Sequence, residues 1–93
     1  MFSPLSRPKL AAKARLRWDT REGKYFLLYP ELWLLLNATA ADIVQLCTGE
    51  HTVDGIVDRL ATKYPAQARE ELEREVMALL AQIQSRGLLE VVA

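Results

Sequence analysis

The spacing of hydrophobic and polar positions changes once along this chain. Between residues 16 and 36 the apolar residues fall into short dense runs: Leu16-Arg17-Trp18, then Tyr25-Phe26-Leu27-Leu28-Tyr29, then Leu32-Trp33-Leu34-Leu35-Leu36. Aromatic and bulky apolar residues in runs of this length suit a pleated, half-buried surface, so each reads as a strand. Asp19-Thr20-Arg21-Glu22-Gly23, with its glycine late, reads as the first hairpin connection. Tyr29-Pro30-Glu31 marks the second, because proline cannot donate to a ladder. The pattern predicts a three-stranded antiparallel meander.

Beyond Asn37 the period becomes helical. Thr39-Ala40-Ala41-Asp42 has the form of a capping box, with Asp in place of the longer Glu. Ile43, Val44 and Cys47 follow on one side, and Gly49 offers a C-terminal stop. Thr52 is placed to cap a second helix with Ile56, Val57, Leu60 and Tyr64 on its apolar face, and Pro65 follows. A third helix, from about Ala68 to Arg86, sets Leu72, Val76, Leu79, Leu80 and Ile83 at helical spacing, with Glu70, Glu71, Glu73, Arg74 and Glu75 outside. Gly87 closes it, and Leu88 to Val92 can extend as a short tail. The order βββααα predicts a compact α+β domain of winged-helix-like proportions, the meander preceding a three-helix bundle.

Length narrows the organisation. Ninety-three residues, 51% of them hydrophobic, supply one core and no second domain. Residues 1–15, broken by Pro4 and Pro8, read as a flexible basic arm, and residues 16–93 as a single binding domain. Up to Lys24 there are seven basic side chains against Asp19 and Glu22, an excess of five that the rest of the chain cancels. Such an arm is usually solvated, and it can also steer an acidic partner. Cys47 is the single cysteine, which excludes an intramolecular disulfide and fits a reducing compartment. Residues 1–16 lack the apolar core of a signal peptide, and Phe26 to Leu36 falls well short of the ~20 residues needed to span a bilayer. The expectation is a soluble, cytoplasmic protein with no membrane partner.

Catalytic chemistry has little to work with. His51 is the sole histidine, and one cysteine with one histidine cannot build a zinc site. Cys47 lies on an apolar helical face, as a structural thiol does. No glycine-rich loop follows a strand to cradle phosphates. The glutamates of the third helix form a solvated face rather than a catalytic pair. No catalytic residue, metal or cofactor is expected, and the chain does not read as an enzyme.

The third strand is the informative segment. A strand with one face on a core alternates apolar with polar residues, but here Leu32, Leu34 and Leu36 fill one parity while Trp33 and Leu35 make the other apolar too. The last strand of a meander lies at an edge, and an apolar edge invites another chain to pair with it. Beside it, the stripe Leu72, Val76, Leu79, Leu80 and Ile83, widened by Met77, could line a groove for an extended peptide. These ten residues of strand and helix are the candidate peptide-binding set. Two alternatives stand beside this reading. A structural homodimer would bury the same edge against itself. A winged-helix DNA-binding protein would share the element order, but its reading helix should carry Arg, Lys, Asn or Gln outward, where this chain has glutamates and, on the second helix, Asp54 and Asp58.

At these same residues the sequence resembles the PqqD family. Leu28-Tyr29-Pro30-Glu31, Leu36-Asn37, Thr39-Ala40 with Ile43, Cys47, Gly49, Thr52-Val53, Ile56 and Leu60 carry the likeness, and Trp18-Asp19 and Arg86-Gly87 are similar too. It runs from about Leu16 to Leu89. The resemblance implies a peptide chaperone in the biosynthesis of pyrroloquinoline quinone (PQQ), a redox cofactor made from a ribosomal precursor peptide. It implies that the domain, a RiPP recognition element, takes the precursor as an added strand between the third strand and the third helix. It also implies presentation to a radical S-adenosylmethionine enzyme carrying iron–sulfur clusters, with no nucleic acid involved.

Overall fold

A computed structural model of the chain describes residues 2–30 and 32–92. The elements run β1 (Arg7–Leu10), β2 (Arg15–Asp19), β3 (Lys24–Tyr29), β4 (Leu32–Leu36), α1 (Ala38–Gln45), α2 (Val53–Lys63), α3 (Arg69–Ser85) and β5 (Leu89–Val92). Strands β2, β3 and β4 form an antiparallel sheet in that order, while β1 pairs antiparallel with β5 in a second sheet. The meander followed by three helices is the α+β architecture that the change of period predicts.

Register explains why β4 is apolar on both parities. Leu16 lies opposite Leu27, Leu27 opposite Leu34, and Tyr25 opposite Leu36, so these residues share one face. Leu27 and Leu36 are buried there, and Leu16, Tyr25, Tyr29, Leu32 and Leu34 pack against the core. The opposite face carries Arg15, Arg17, Phe26, Leu28, Trp33 and Leu35, with Trp33 65% and Leu35 51% exposed. One parity of β4 therefore packs on the helices and the other is open. The β2–β3 turn closes through Gly23, whose φ of 63° suits a residue without Cβ and whose N–H donates to the Asp19 carbonyl at 2.8 Å.

The helices place the core. Thr52 caps α2 as expected, its Oγ1 accepting the Gly55 N–H at 3.0 Å. Helix α1 begins earlier than the Thr39 box suggests: Asn37 is the N-cap, and its Oδ1 accepts the Ala40 N–H at 2.8 Å. Asparagine immediately after a strand is as good a cap as threonine, and it leaves Asp42 free for Lys63 and Tyr64 instead. The helix also ends at Gln45, ahead of Gly49. At the end of α3, Gly87 N–H donates to the Gln84 carbonyl and Leu88 N–H to the Ile83 carbonyl, both at 2.9 Å. That is a Schellman closure, and it buries Leu88 completely.

The first fifteen residues depart most from expectation. Two prolines and a basic excess predict a flexible arm; residues 7–10 instead form β1, and Phe2, Pro8 and Ala14 are buried. The proline signal misleads because Pro8 sits where its missing donor costs nothing to the β5 ladder. Leu10 N–H bonds the Cys47 carbonyl and Pro8 accepts from Gly49 N–H, both at 3.0 Å, so these two residues face the 47–49 segment. Their neighbours Arg7 and Lys9 face β5. Further back, the carbonyls of Ser6 and Pro4 accept the Val53 and Asp54 N–H groups at 2.8 and 3.0 Å, satisfying the first turn of α2.

Candidate functional site

Strand β4 is an edge: β3 is its one strand neighbour among the described residues. The β3–β4 connection is two residues long and Tyr29 faces Leu32 across it. Residues flanking such a connection form a hydrogen-bonded pair, and pairs alternate along an antiparallel ladder. By this register Leu32, Leu34 and Leu36 turn their backbone groups toward β3. Trp33 and Leu35 turn theirs outward, offering two N–H donors and two carbonyl acceptors to a further strand.

Beside this edge runs a cleft of about 300 Å³ between β4, α1 and α3. Leu34, Leu35 and Leu36 form its strand wall, Asn37, Thr39, Ala40 and Ile43 its floor from α1, and Glu75, Ala78, Leu79 and Gln82 its α3 wall. Of the helical stripe expected here, Leu79 alone reaches the cleft. Leu72, Val76, Leu80 and Ile83 have no exposure at all and belong to the core with Ile56, Val57 and Leu60 of α2. The reason is geometric. Residues 72, 76, 80 and 83 lie on the line of α3 that meets the other helices, and the cleft is lined by the next line round, 75, 78, 79 and 82. The expected set left out Asn37, Thr39, Ala40, Ile43, Glu75, Ala78 and Gln82 of this lining. The signal was available: Glu75, Ala78, Leu79 and Gln82 fall at three- and four-residue spacing, and the small side chain of Ala78 leaves the cleft room. Leu32 and Trp33 do not line the cleft, although both stand on the same strand.

A larger hollow of about 780 Å³ adjoins the cleft at Leu35, Leu36 and Asn37 and is walled by Trp18, Tyr25, Asp42 and Lys63. The Trp18 and Tyr25 rings meet edge to face at 4.9 Å. Asp42 accepts from Lys63 Nζ at 2.8 Å and from the Tyr64 hydroxyl, joining α1 to the end of α2. Its carboxylate holds the Lys63 ammonium and the Tyr64 phenol above their usual ranges, through the hydrogen bonds first. Cys47 lies apart from both hollows. Burial pushes its thiol up to about 12, and Sγ donates to the Ile43 carbonyl at 3.2 Å. A thiol so placed is a poor nucleophile. Among the described residues no group of three or more His, Cys, Asp or Glu side chains could hold a metal ion, and no helix is long and apolar enough to cross a membrane. What the arrangement offers is an unpaired strand edge above a cleft of mixed polarity.

Comparison with known proteins shows the family and the fold. The model of the family described as coenzyme PQQ synthesis protein D (PqqD) matches residues 24–89, well over half of the chain. The chain belongs to the PqqD family. Relatives in that family include the PqqA binding protein of Rhodopseudomonas palustris strain BisB5, 40% identical over 87 residues that span 94% of this chain and 84% of the relative. The PqqA binding protein of Methylococcus capsulatus strain Bath is 41% identical over 69 residues, 74% of each chain. Among solved structures the chain is similar to the PqqD truncation of Methylobacterium extorquens PqqCD, a stand-alone RiPP recognition element, with a TM-score of 0.81 and 29% identity. That likeness covers 97% of this chain and 95% of the other, so it reaches into the first fifteen residues. A lasso peptide synthetase B1 complexed with its leader peptide shares the fold, with a TM-score of 0.75 at 24% identity over 90% of this chain and 98% of that one.

Proposed function

We propose that this PqqD-family chain is the peptide chaperone of PQQ biosynthesis, holding the precursor PqqA extended along the open edge of β4. The carrying observation is the outward main chain of Trp33 and Leu35 directly above the cleft walled by Leu34, Leu36, Ile43, Ala78 and Leu79. An added strand would exchange backbone hydrogen bonds with Trp33 and Leu35. Alternate side chains would then drop into the cleft or lie on the outer sheet face. The relatives named as PqqA binding proteins support this partner, and the likeness to a stand-alone RiPP recognition element supports a peptide-binding role.

The physical benefit is entropic. A short precursor is disordered alone, and ordering it costs about 2–5 kcal/mol, which backbone bonds and apolar burial at this edge offset. An enzyme then meets a fixed substrate rather than a coil, which raises the effective concentration of the reacting side chains. The chain itself is a carrier and performs no conversion. Its enzyme partner is a cytoplasmic radical S-adenosylmethionine enzyme with iron–sulfur clusters, which performs the chemistry on the presented peptide.

Titration of the isotope-labelled chain with synthetic precursor tests the reading. The expected result is micromolar or tighter binding with the largest amide shifts at Trp33, Leu35, Ala78, Leu79 and Gln82, and no chemical change in the peptide. Shifts confined to α2 and the β1–β5 sheet, or conversion of the peptide by this chain alone, would contradict it.

A further inference from the structure

The cleft between β4, α1 and α3 has one ionisable side chain among the eleven residues that line it, Glu75. The rest of the lining is apolar or neutral, so this carboxylate sets the sign of the charge that the cleft presents. Its place on α3 leaves it without a cation of its own. Residues three and four apart are neighbours on a helix, and for Glu75 these are Glu71, Leu72, Ala78 and Leu79. Arg74, next to it in sequence, is not part of the lining. Glu73 shows the contrast: Arg69, four residues before it, approaches to 3.2 Å, and the same guanidinium holds Asp58 at 2.7 Å. Among the described residues no salt bridge reaches Glu75. The Gln67 amide donates to its Oε1 at 3.3 Å, a neutral donor that leaves the charge uncompensated. An exposed glutamate on a helix is ordinarily a solvated charge. One that walls a groove beside an open strand edge meets whatever the groove holds.

Resting on the carrier reading above, we infer that Glu75 is a specificity-determining residue of the peptide groove and selects a Lys or Arg of the precursor. The surroundings suit a long cationic side chain. In a strand added to β4, the side chains that share the parity of Leu34 and Leu36 turn toward the cleft. A Lys or Arg at such a position lays its aliphatic stem along Ala78 and Leu79, one turn on from Glu75 on the same wall. Its charge then reaches the carboxylate at the exposed rim. An acidic side chain there would be repelled by Glu75 and by Glu71 one turn back. An aliphatic one would take water from the carboxylate and return no hydrogen bond. The groove therefore rejects an anion as well as favouring a cation, and discrimination between peptides draws on both.

Isothermal titration of the full chain with synthetic precursor peptide tests the inference. Glu75→Gln removes the charge and keeps the shape, and Glu75→Lys reverses the charge. Glu70→Gln makes the same net change as Glu75→Gln at an exposed position of α3 outside the cleft lining. Both sites are exposed on a helix that Gln and Lys suit, so the variants keep the fold, which melting midpoints by circular dichroism verify. Precursor affinity should fall about threefold in Glu75→Gln and at least about tenfold in Glu75→Lys, and stay within about 1.5-fold in Glu70→Gln. The unmodified chain should lose affinity more steeply with salt than Glu75→Gln does. Precursor variants, each with one Lys or Arg replaced by Glu, then locate the partner. One of them should recover at least about fivefold in affinity for Glu75→Lys while binding the unmodified chain more weakly. Three results overturn the inference and leave the carrier reading in place: unchanged affinity in both Glu75 variants, equal losses in Glu75→Gln and Glu70→Gln, or no precursor position whose charge reversal restores binding to Glu75→Lys. Failure of the unmodified chain to bind the precursor overturns both.

Discussion

Phe2→Ala, set against Leu5→Ala, separates a structural N-terminus from a loose one. Phe2 is 7% exposed within the core cluster, while Leu5, three residues on, is 79% exposed. Removing a buried phenylalanine forfeits roughly 1.5–3 kcal/mol of transfer free energy. Deep in a rigid core a cavity adds to this, but at a chain end the site can collapse, so the expected loss is about 2–3 kcal/mol. For a domain of this size each kcal/mol corresponds to roughly 4–8 °C in midpoint, giving a fall of roughly 8–24 °C. Leu5→Ala should change stability by less than about 0.5 kcal/mol. Thermal and urea unfolding followed by circular dichroism give both values. Because Ser6 and Pro4 also satisfy the first turn of α2, the Phe2→Ala variant should show faster amide exchange at Val53 and Asp54. If both substitutions leave the midpoint unchanged, residues 2–10 are not part of the folded unit and the β1–β5 pairing is not a source of stability.

Three further outcomes follow from single contacts. Asn37→Ala should cost about 1 kcal/mol through loss of the α1 cap, and Thr39→Ala less, measured by urea unfolding. Cys47 should resist a thiol reagent at pH 8 in the native chain and react once unfolded. Its folded pKa of about 12 lies above the ordinary 9.0, so the stability it contributes is complete below pH 9 and lost as pH rises from 9 toward 12, visible in midpoints across that window. Ala78→Glu, at an exposed position on the cleft wall, should leave the melting midpoint within a few degrees while weakening the precursor by about 1 kcal/mol, roughly fivefold, by titration.

Local pattern carries much of this fold. The meander was legible because dense apolar runs bounded by Gly23 and Pro30 have no other low-energy reading, and α2 and α3 because their apolar spacing is helical. The pairing of β1 with β5 was not legible. It joins Arg7–Leu10 to Leu89–Val92 across almost the whole chain, and no local signal records which distant segment a short run will meet. Two prolines and an excess of basic residues pointed the other way, and the structure tolerates them by aiming Pro8 away from the β5 ladder. The strand half of the candidate site was legible because two apolar parities on an edge strand is an anomaly. The helical half was not, since the strongest stripe on α3 marks what is buried, and a cleft is lined by its less apolar flank at Glu75, Ala78 and Gln82. The outward parity of β4 also waited on the register, which depends on the length of the connection after Tyr29.

That parity gives the sharpest test of the added strand. Trp33 directs its N–H to the open edge and Leu34 directs its own to β3, so a proline at each position removes a different bond. The measurement is precursor affinity, with unfolding midpoint as control, for Trp33→Pro against Trp33→Ala and Leu34→Pro against Leu34→Ala. The alanine variants subtract the side chains. Trp33→Pro should stay folded and bind the precursor more weakly than Trp33→Ala by roughly 0.5–1.5 kcal/mol, about two- to twelvefold, because one donor to the peptide is gone. Leu34→Pro should instead lower the unfolding midpoint well below that of Leu34→Ala, because it breaks the β3–β4 ladder. Equal precursor affinity in Trp33→Pro and Trp33→Ala, with both folded, would show that the peptide does not pair with β4.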